Sequence, residues 1–342
     1  MKTINILLCV LFLMCSGISY SQSNYTISNK YTLEGNGGWD YLTMDETSGR
    51  LFVSHGTVVQ VLDVKQGIVV GSISDLKGVH GIAIAAEFNK GFISNGRDTS
   101  VTVFDLTDYK TLDKITVTGV NPDAILYDAF SKKIFAFNGR TNNATVIDAE
   151  SNKVVETIPL EGKPEFSACD GKGKVYVNIE NLSLIKIINS ATLKVEKTWS
   201  VSPGEEPSGL AFDIVNNRLF SVCGNKLLVV SDAVNGKVIT TLPIGDGSDG
   251  VAFDPVLKRI YSSNGEGTMT VIQQNNADSY NVIETVMTQK SARTIAVNSK
   301  TNRLYLPCAE FGEVPEKTPE NQHPRAPIKP GTFTVLEISP AK

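Results

Sequence analysis

Residues 121–160 read NPDAILYDAFSKKIFAFNGRTNNATVIDAESNKVVETIPL, and this stretch contains four short apolar runs separated by polar turns. The runs are rich in Val, Ile, Phe, Tyr and Thr, and clusters of Gly, Asn, Asp or Lys bound them. Such runs are typical of β-strands joined by tight turns, and helical spacing is absent. The stretch therefore predicts a small sheet of four antiparallel strands.

The same unit occurs seven times along the chain. Residues 247–288, GSDGVAFDPVLKRIYSSNGEGTMTVIQQNNADSYNVIETVMT, repeat its pattern. The residues that end each first run are 40, 43, 42, 43, 41 and 44 positions apart: Asp45, Ala85, Asp128, Asp170, Asp213, Asp254 and Asn298. A period near forty is typical of a β-propeller, whereas β-helix repeats are much shorter. The sequence predicts an all-β fold, a seven-bladed β-propeller with four antiparallel strands per blade.

The last copy of the unit is one strand short. Its strands are predicted over residues 294–297, 303–306 and 332–338. A further apolar run, residues 25–33, precedes the first copy and belongs to none. We expect this N-terminal strand to complete the last blade and close the ring, which removes an open sheet edge.

The first 21 residues predict a secretory signal peptide. An apolar stretch over residues 6–14 follows Lys2 and precedes the small-residue site Ser19-Tyr20-Ser21, and it is too short to span a bilayer. Residues 22–342 then form a single propeller domain, exported to the periplasm or secreted. A lipoprotein anchored through Cys15 is the less favoured alternative, because the bulky Met14 precedes that cysteine.

Charge and hydropathy restrict the partners of the mature chain. Lys2 is the one basic residue of the leader, which leaves 31 basic residues against 36 acidic ones and a formal charge of −5. This balance disfavours nucleic acid, whose phosphates are neutralised by Lys and Arg. No later apolar stretch approaches about 18 residues, so no membrane span is expected.

Several second strands share a short sequence, as in Lys174-Val175-Tyr176-Val177-Asn178 and Arg259-Ile260-Tyr261-Ser262-Ser263-Asn264. These segments resemble the YVTN repeat of the YncE-like propellers, which are secreted or periplasmic bacterial proteins. The resemblance covers essentially the whole mature chain, including the Pro-rich segment after Cys308. It implies a propeller fold, an export route and a binding role, with single-stranded nucleic-acid binding as one alternative.

Candidate functional residues follow from aligning the copies. In an antiparallel hairpin, the start of the first strand and the end of the second lie together, so both sets should surround one mouth of the central channel. Two arginines follow Asn-Gly pairs at the same end. The candidates are Asp40, His55, His80, Asn95, Arg97, Asp123, Asn138, Arg140, Glu165, Asp249, Asn264 and Arg293.

Two chemical interpretations of this mouth compete. Carboxylates and amides suit calcium or another divalent cation, and the ligands we would expect are Asp123, Glu165 and Asp249, with Asn138 and Asn264. The alternative is that each Asp or Asn bonds to its own turn, as these residues commonly do, and this alternative is favoured. No cofactor is therefore expected.

A histidine pair and three cysteines of the mature chain are the candidates for catalysis. His55 and His80, flanked by Asp40, could act as a general base if they face one another across the rim. Cys169 lies in an apolar strand, and Cys223 and Cys308 occupy equivalent positions two blades apart, too distant for a disulfide in a regular ring. No strong catalytic motif results.

The Pro-rich segment, residues 309–331, interrupts the last blade between its second and third strands. It should emerge at the same mouth, and we expect it to fold over the channel opening. The sequence thus favours a monomeric, non-catalytic propeller that binds a small molecule, glycan or protein partner at the channel mouth. A metal-dependent enzyme of the lactonase or lyase kind, using the mouth carboxylates, is the alternative.

Overall fold

A computed structural model describes residues 24–35, 37–318 and 321–341 of this chain. The described residues form seven four-stranded antiparallel sheets, each the blade of a β-propeller. The first strands of neighbouring blades contact one another in cyclic order, and the first blade contacts the seventh. The predicted signal peptide and Cys15 lie outside the described residues, so the domain boundary stays a prediction.

The first four blades follow the chain in order. Blade 1 contains β2 (Leu42–Asp45), β3 (Arg50–His55), β4 (Val58–Asp63) and β5 (Ile68–Ile73). Blade 2 contains β6 (Val79–Ala85), β7 (Lys90–Asn95), β8 (Ser100–Asp105) and β9 (Thr111–Thr116). Blade 3 contains β10 (Pro122–Asp128), β11 (Lys133–Asn138), β12 (Asn143–Asp148) and β13 (Val154–Pro159). Blade 4 contains β14 (Pro164–Cys169), β15 (Lys174–Ile179), β16 (Leu184–Asn189) and β17 (Lys194–Ser200).

The last three blades include the closure. Blade 5 contains β18 (Pro207–Asp213), β19 (Arg218–Cys223), β20 (Leu227–Asp232) and β21 (Val238–Pro243). Blade 6 contains β22 (Ser248–Asp254), β23 (Arg259–Asn264), β24 (Thr268–Asn276) and β25 (Ser279–Met287). Blade 7 contains β26 (Ala296–Asn298), β27 (Arg303–Cys308), β28 (Thr334–Pro340) and the N-terminal β1 (Tyr25–Thr32). Two 3₁₀ turns, Ala86–Phe88 and Glu180–Leu182, complete the described elements.

The N-terminal strand closes the ring as the sequence predicts. β1 pairs antiparallel with β28, from Tyr25 opposite Pro340 to Thr32 opposite Thr334. Tyr31 donates a hydrogen bond to the buried Glu337 carboxylate at 2.6 Å, and burial together with this bond raises the Tyr31 pKa to about 12. A sheet without its outer strand would expose the backbone groups of β28, so this pairing removes an aggregation-prone edge.

The core lies between the blades. The second and third strands are buried on both faces, which is why they read as continuous apolar runs rather than as an alternation. Phe135 and Phe137 of β11, for example, pack in one cluster with Val175 and Val177 of β15 in the next blade. The fourth strands are largely exposed, as in β9.

Several predicted strand boundaries are corrected. In blade 7, β27 extends to Cys308 rather than to residue 306, β28 spans Thr334–Pro340 rather than residues 332–338, and β1 ends at Thr32 rather than at residue 33. β14 ends at Cys169 rather than Asp170, because the Asp170 carboxylate accepts hydrogen bonds from the backbone N–H groups of Lys172 and Lys174 and starts the turn. β26 begins at Ala296 rather than Thr294. The backbone carbonyl of Arg293 bonds instead to blade 6, where it accepts from the Ser263 hydroxyl at 2.7 Å.

Candidate functional site at the channel mouth

Bulges position the side chains of the channel mouth. In blades 2 to 6 the pairing of the first strand with the second skips one or two residues at its start. Each skip contains a residue that the repeat alignment placed at the strand start, namely His80, Asp123, Glu165, Ser208 and Asp249. A bulge leaves its residue outside the ladder and re-aims the side chain. Asp40 and Arg293 hold the corresponding positions just before β2 and β26.

His80 joins the first three blades. Its Nδ1 atom lies 2.6 Å from Oδ2 of Asp40 and 2.9 Å from Oδ1 of Asp123. Burial alone would lower the His80 pKa, but the hydrogen bonds to Asp123 and Asp40 outweigh it and raise the pKa to about 10. Although burial opposes its ionisation, the Asp123 pKa is lowered by the bond to His80. The His80 side chain is therefore an imidazolium that contacts two carboxylates.

Arg293 continues the charged chain in the other direction. Its guanidinium forms ion pairs with Asp249 of blade 6 and, at 3.2 Å, with Oδ1 of Asp40 in blade 1. Asp40 is itself held by its backbone, because its N–H donates to the Ser54 hydroxyl and its carbonyl accepts from the Thr294 hydroxyl at 2.7 Å. The Asp40 carboxylate thus links blades 1, 2 and 7, and Arg293 extends the link to blade 6.

Glu165 supplies the blade 4 carboxylate. It is buried and lies 2.7 Å from the ammonium group of Lys163, which also pairs with Glu180. Burial raises the Glu165 pKa to about 7; the Lys163 bond opposes this shift, and the Asp123 charge adds to it. Burial opposes protonation of Lys163, but its two carboxylate partners raise its pKa above the ordinary range. This carboxyl group therefore changes its protonation state near neutral pH.

Tyr41 forms the floor beneath these charges. It is buried, and its ring lies 5.0 Å from the ring of Phe166, which belongs to the blade across the channel. Burial, followed by the charges of Asp40, Glu165 and Asp123, raises the Tyr41 pKa. The Tyr41–Phe166 pair therefore separates the charged mouth from the rest of the channel.

We call Asp40, His80, Asp123, Lys163, Glu165, Asp249 and Arg293 the charged ring. It has four carboxylates and three basic groups. Blade 5 contributes Ser208, whose hydroxyl donates to the Ser248 carbonyl at 3.2 Å. All seven blades thus supply polar groups to one mouth.

The three asparagines of the expected site serve their own blades. Asn95 and Asn138 donate to hydroxyl groups of the third strand, at 2.9 Å to Thr102 and 3.0 Å to Thr145. Asn264 does the same, donating to Thr270 at 3.1 Å. All three are buried. Their amide groups connect strands two and three of their own blades.

The second histidine stands apart from the first. His55 is buried, its ring centroid lies 4.0 Å from that of Phe333, and Nδ1 bonds to Gln60 at 3.2 Å. Burial lowers its pKa. It lines a separate cavity of about 210 Å³ beside Lys329 and Pro330, and no hydrogen bond or ion pair between described residues joins His55 to His80.

The rim arginines take equivalent positions in adjacent blades. The backbone N–H of Arg97 donates to Lys77 and that of Arg140 to Val120, and both side chains are exposed. Neither guanidinium forms an ion pair with any residue that the structure describes. They are exposed positive charges that directly follow Gly96 and Gly139, and these two glycines lie close to His80 and Asp123.

The proposed metal ligands are distributed over three ion pairs. Asp123 bonds to His80, Glu165 to Lys163 and Asp249 to Arg293. A different trio is compact, because one ligand atom each from Asp40, His80 and Asp123 lies within 4.8 Å of the others. A divalent cation at this mouth therefore fits the Asp40–His80–Asp123 trio best, and the metal site stays a prediction.

The repeat alignment does not predict two residues of this site, Lys163 and Tyr41. Lys163 precedes Glu165 by two residues, and such a spacing on an extended chain was a signal for an ion pair. Tyr41 has no comparable signal in its local sequence. Its contact with Phe166 joins blades 1 and 4, and no local pattern encodes such a contact.

The Pro-rich segment lies beside the mouth as a long hairpin. Phe311 pairs with Ile328 in an isolated antiparallel bridge, and Phe311 and Phe333 contact the Trp39 ring at centroid distances of 6.0 and 5.3 Å. Within the described residues of 312–327, no hydrogen bond or ion pair reaches the charged ring. Its base is anchored at the rim, and closure over the opening stays a prediction.

Comparison with known proteins shows the fold. A chain of hydrazine synthase from Kuenenia stuttgartiensis is similar, with a TM-score of 0.68, 18% sequence identity and coverage of 80% of this chain and 94% of that chain. A chain in a crystal structure of the mitotic checkpoint complex is similar with a TM-score of 0.75, 11% identity and coverage of 100% and 99%. No protein-family model and no curated protein matches the sequence. The protein is thus a seven-bladed β-propeller. Among the described residues, no helix is long and apolar enough to cross a membrane.

Proposed function

We propose that this protein is an exported, non-catalytic propeller of the YncE-like, YVTN-repeat kind that binds a polar ligand at its channel mouth. The observation that carries the proposal is the charged ring, in which His80 links Asp40 to Asp123 and Arg293 links Asp40 to Asp249. The ion pairs already hold these donors and acceptors in place, so the site does not have to reorganise when a polar ligand binds.

A glycan is the ligand class that this surface fits best among a small molecule, a glycan and a protein. The ring offers both acceptors and donors to hydroxyl groups. Next to it stand Trp39 and Phe311, and Phe311 is 42% exposed although its ring contacts Trp39. An aromatic face beside a polar ring supports binding of a sugar, which has apolar and hydroxylated surfaces.

The thiols support a binding role rather than nucleophilic catalysis. Burial raises the pKa of Cys223 and of Cys308 to about 12, and that of Cys169 to about 11. A thiol is reactive as its thiolate, which these environments disfavour. His80, the histidine of the ring, is committed to two carboxylates and is protonated at neutral pH, so it is a poor general base.

A glycan array with the fluorescently labelled mature protein tests the proposal. We expect selective binding, weakened at least about tenfold by Asp249→Asn, which removes one acceptor charge from the ring. Asp108→Asn is the matched control, because Asp108 forms an ion pair with Lys110 in an exposed turn of blade 2, away from the charged ring. Absence of selective binding, or equal weakening by both variants, would contradict the glycan proposal.

Export depends on the leader. The apolar stretch followed by Ser19-Tyr20-Ser21 supports cleavage before Gln22. N-terminal sequencing of protein secreted or released from the periplasm by its own host is expected to begin at Gln22. A mature chain that begins at Cys15 would favour the lipoprotein alternative.

Binding of a divalent cation is the second candidate function. The lactonase- or lyase-like alternative requires such a cation site. It is supported by the compactness of Asp40, His80 and Asp123. Two carboxylates and an imidazole are ligands for zinc or manganese, and calcium would use the carboxylates alone. A cation there would replace the proton of His80, so binding should release a proton.

Isothermal titration with Zn²⁺, Mn²⁺ and Ca²⁺ in two buffers of different ionisation enthalpy measures both binding and proton release. We expect His80→Gln to abolish Zn²⁺ binding if the trio holds it. His323→Gln is the control, because His323 is exposed in the Pro-rich segment. Saturable binding that survives His80→Gln would place the cation elsewhere.

A further inference from the structure

The channel contains a second cavity on the other side of the Tyr41–Phe166 pair. Its volume is about 450 Å³, within the roughly 300–1,000 Å³ typical of small-molecule sites. The first strands of blades 1 to 4 line it with the parts that lie farther from the charged ring, toward the turns that follow β2, β6 and β10. It therefore opens at the face opposite the charged ring.

The lining of this cavity is mainly apolar. Met44, Ile84, Ile125 and Leu126 contribute aliphatic side chains, and all four are only half-buried. Apolar side chains left half-buried in a concave surface are typical of ligand sites, because a ligand completes their burial. The aromatic rings of Phe166 and Tyr127 complete the wall.

The charged residues that line this cavity, within the described chain, are both acidic. Asp45 accepts from the backbone N–H of Thr47 at 2.9 Å, and Glu46 accepts from Ser299 at 2.6 Å, so each carboxylate is held in place. A third acid, Glu87, receives the Tyr127 hydroxyl at 2.5 Å. This hydrogen bond orients the aromatic ring at the acidic border.

We propose that this cavity, the far-side cavity, binds a small organic cation: a substituted ammonium group carrying an apolar body. The aliphatic wall would hold the body, the faces of Tyr127 and Phe166 would attract the cation, and Asp45 and Glu46 would supply the opposite charge. This site is separate from the proposed mouth site, because Tyr41 and Phe166 lie between them.

A matched pair of probes tests the charge and the shape of the site separately. Benzyltrimethylammonium is the cation, and 2,2-dimethyl-1-phenylpropane is its neutral carbon isostere. Saturation-transfer NMR and calorimetry on the full mature chain measure binding of each. We expect the cation to bind at least about tenfold more tightly than the isostere at low ionic strength.

Variants assign the binding to the far-side cavity. Met44→Trp fills the cavity and should abolish binding of the cation, whereas Val215→Trp, at a position 84% exposed on blade 5, should leave it unchanged. The double change Asp45→Asn and Glu46→Gln keeps the hydrogen-bond acceptors and removes the charges. It should reduce the affinity for the cation about tenfold while leaving the isostere unaffected.

Three results would overturn the proposal. They are the absence of saturable cation binding, equal affinity for the two probes, and cation binding that survives Met44→Trp in a variant whose melting temperature matches the parent. If Met44→Trp does not fold, the charge-removing double variant decides alone. Glycan binding at the mouth is measured on the same samples, so failure at one site is distinguishable from failure at the other.

Discussion

His80 is the residue on which the geometry of the mouth depends most. Its imidazolium holds the carboxylates of two other blades at 2.6 and 2.9 Å. A neutral imidazole would leave the two carboxylates side by side without a positive charge beside them, and their repulsion would open the contact. Protonation of one ring therefore stabilises the contact between blades 1, 2 and 3.

Stability should depend on pH through this histidine. The folded-state pKa of about 10 exceeds the ordinary value of 6.5, so the stabilisation is complete below pH 6.5 and is lost as pH rises toward about 10. We expect His80→Gln to lower the free energy of unfolding strongly at pH 6 and much less at pH 10. Denaturant unfolding of both proteins at each pH measures this difference.

An equal loss at both pH values would show that His80 acts by packing rather than by charge. His55→Gln is the control, because the His55 pKa is lowered and that ring pairs with the neutral Gln60. For this variant, the difference in unfolding free energy from the parent protein should not become smaller between pH 6 and pH 10.

At the scale of elements, local turns end the strands, and bulges orient the side chains of the channel mouth. Turns after the first strands are stabilised by side chains within them, as when Asp254 accepts from the N–H groups of Val256 and Leu257. Because these interactions are local, the sequence predicted the ends of six of the seven first strands. The bulge residues His80 and Asp249 contact side chains of neighbouring blades, and the repeat pattern did not predict the bulges.

The closing strand contributes a testable hydrogen bond. Tyr31→Phe removes the bond to the buried Glu337 carboxylate and should cost about 2 kcal/mol of unfolding free energy, because bonds to charged groups are worth more than neutral ones. Tyr176→Phe is the matched comparison, since its hydroxyl donates to the Ala233 carbonyl at 3.0 Å. It should cost about 1 kcal/mol. Urea unfolding compares the two, and a smaller loss for Tyr31→Phe would contradict the argument.

The Pro-rich hairpin should be dispensable for folding. Replacing residues 313–326 by two glycines keeps Phe311 and Ile328, which anchor the hairpin against Trp39 and the blade 7 core. The described residues removed are mostly exposed, so we expect a change in melting temperature of less than about 2 °C. A larger decrease by differential scanning calorimetry would show that the tip supports the fold.

At the scale of the whole molecule, closure joins the two ends of the propeller. Tyr25 of β1 receives a hydrogen bond from Arg259 at 2.6 Å and lies 2.8 Å from the Tyr261 hydroxyl, so the closing strand also contacts blade 6. Glu46 of blade 1 accepts from Ser299 of blade 7. These bonds span more than 230 positions of sequence and depend on the ring being complete.

Deleting residues 24–33 tests closure directly. The deletion removes β1, exposes the edge of β28 and uncovers Tyr261 and Ile338. We expect a lower melting temperature and self-association, whereas the parent protein should be a monomer by light scattering. Substituting Asn29 and Lys30, both exposed positions on β1, by Ala is the control and should preserve the monomer. A monomeric deletion protein of parental stability would show that the ring closes without this strand.

The sequence by itself determined the number of blades, the four strands of each, the closing partner and the end of the blade at which the polar side chains gather. These features follow from short-range turn chemistry and from a repeat that carries the same apolar pattern seven times. Tertiary structure alone decided which polar groups pair. Asp40 contacts His80 and Arg293, which lie 40 and 253 positions away, because the ring brings blade 7 beside blade 1. It also separated His55 from His80 and divided the channel at Tyr41 and Phe166, since both outcomes depend on how side chains from distant blades fill a shared space.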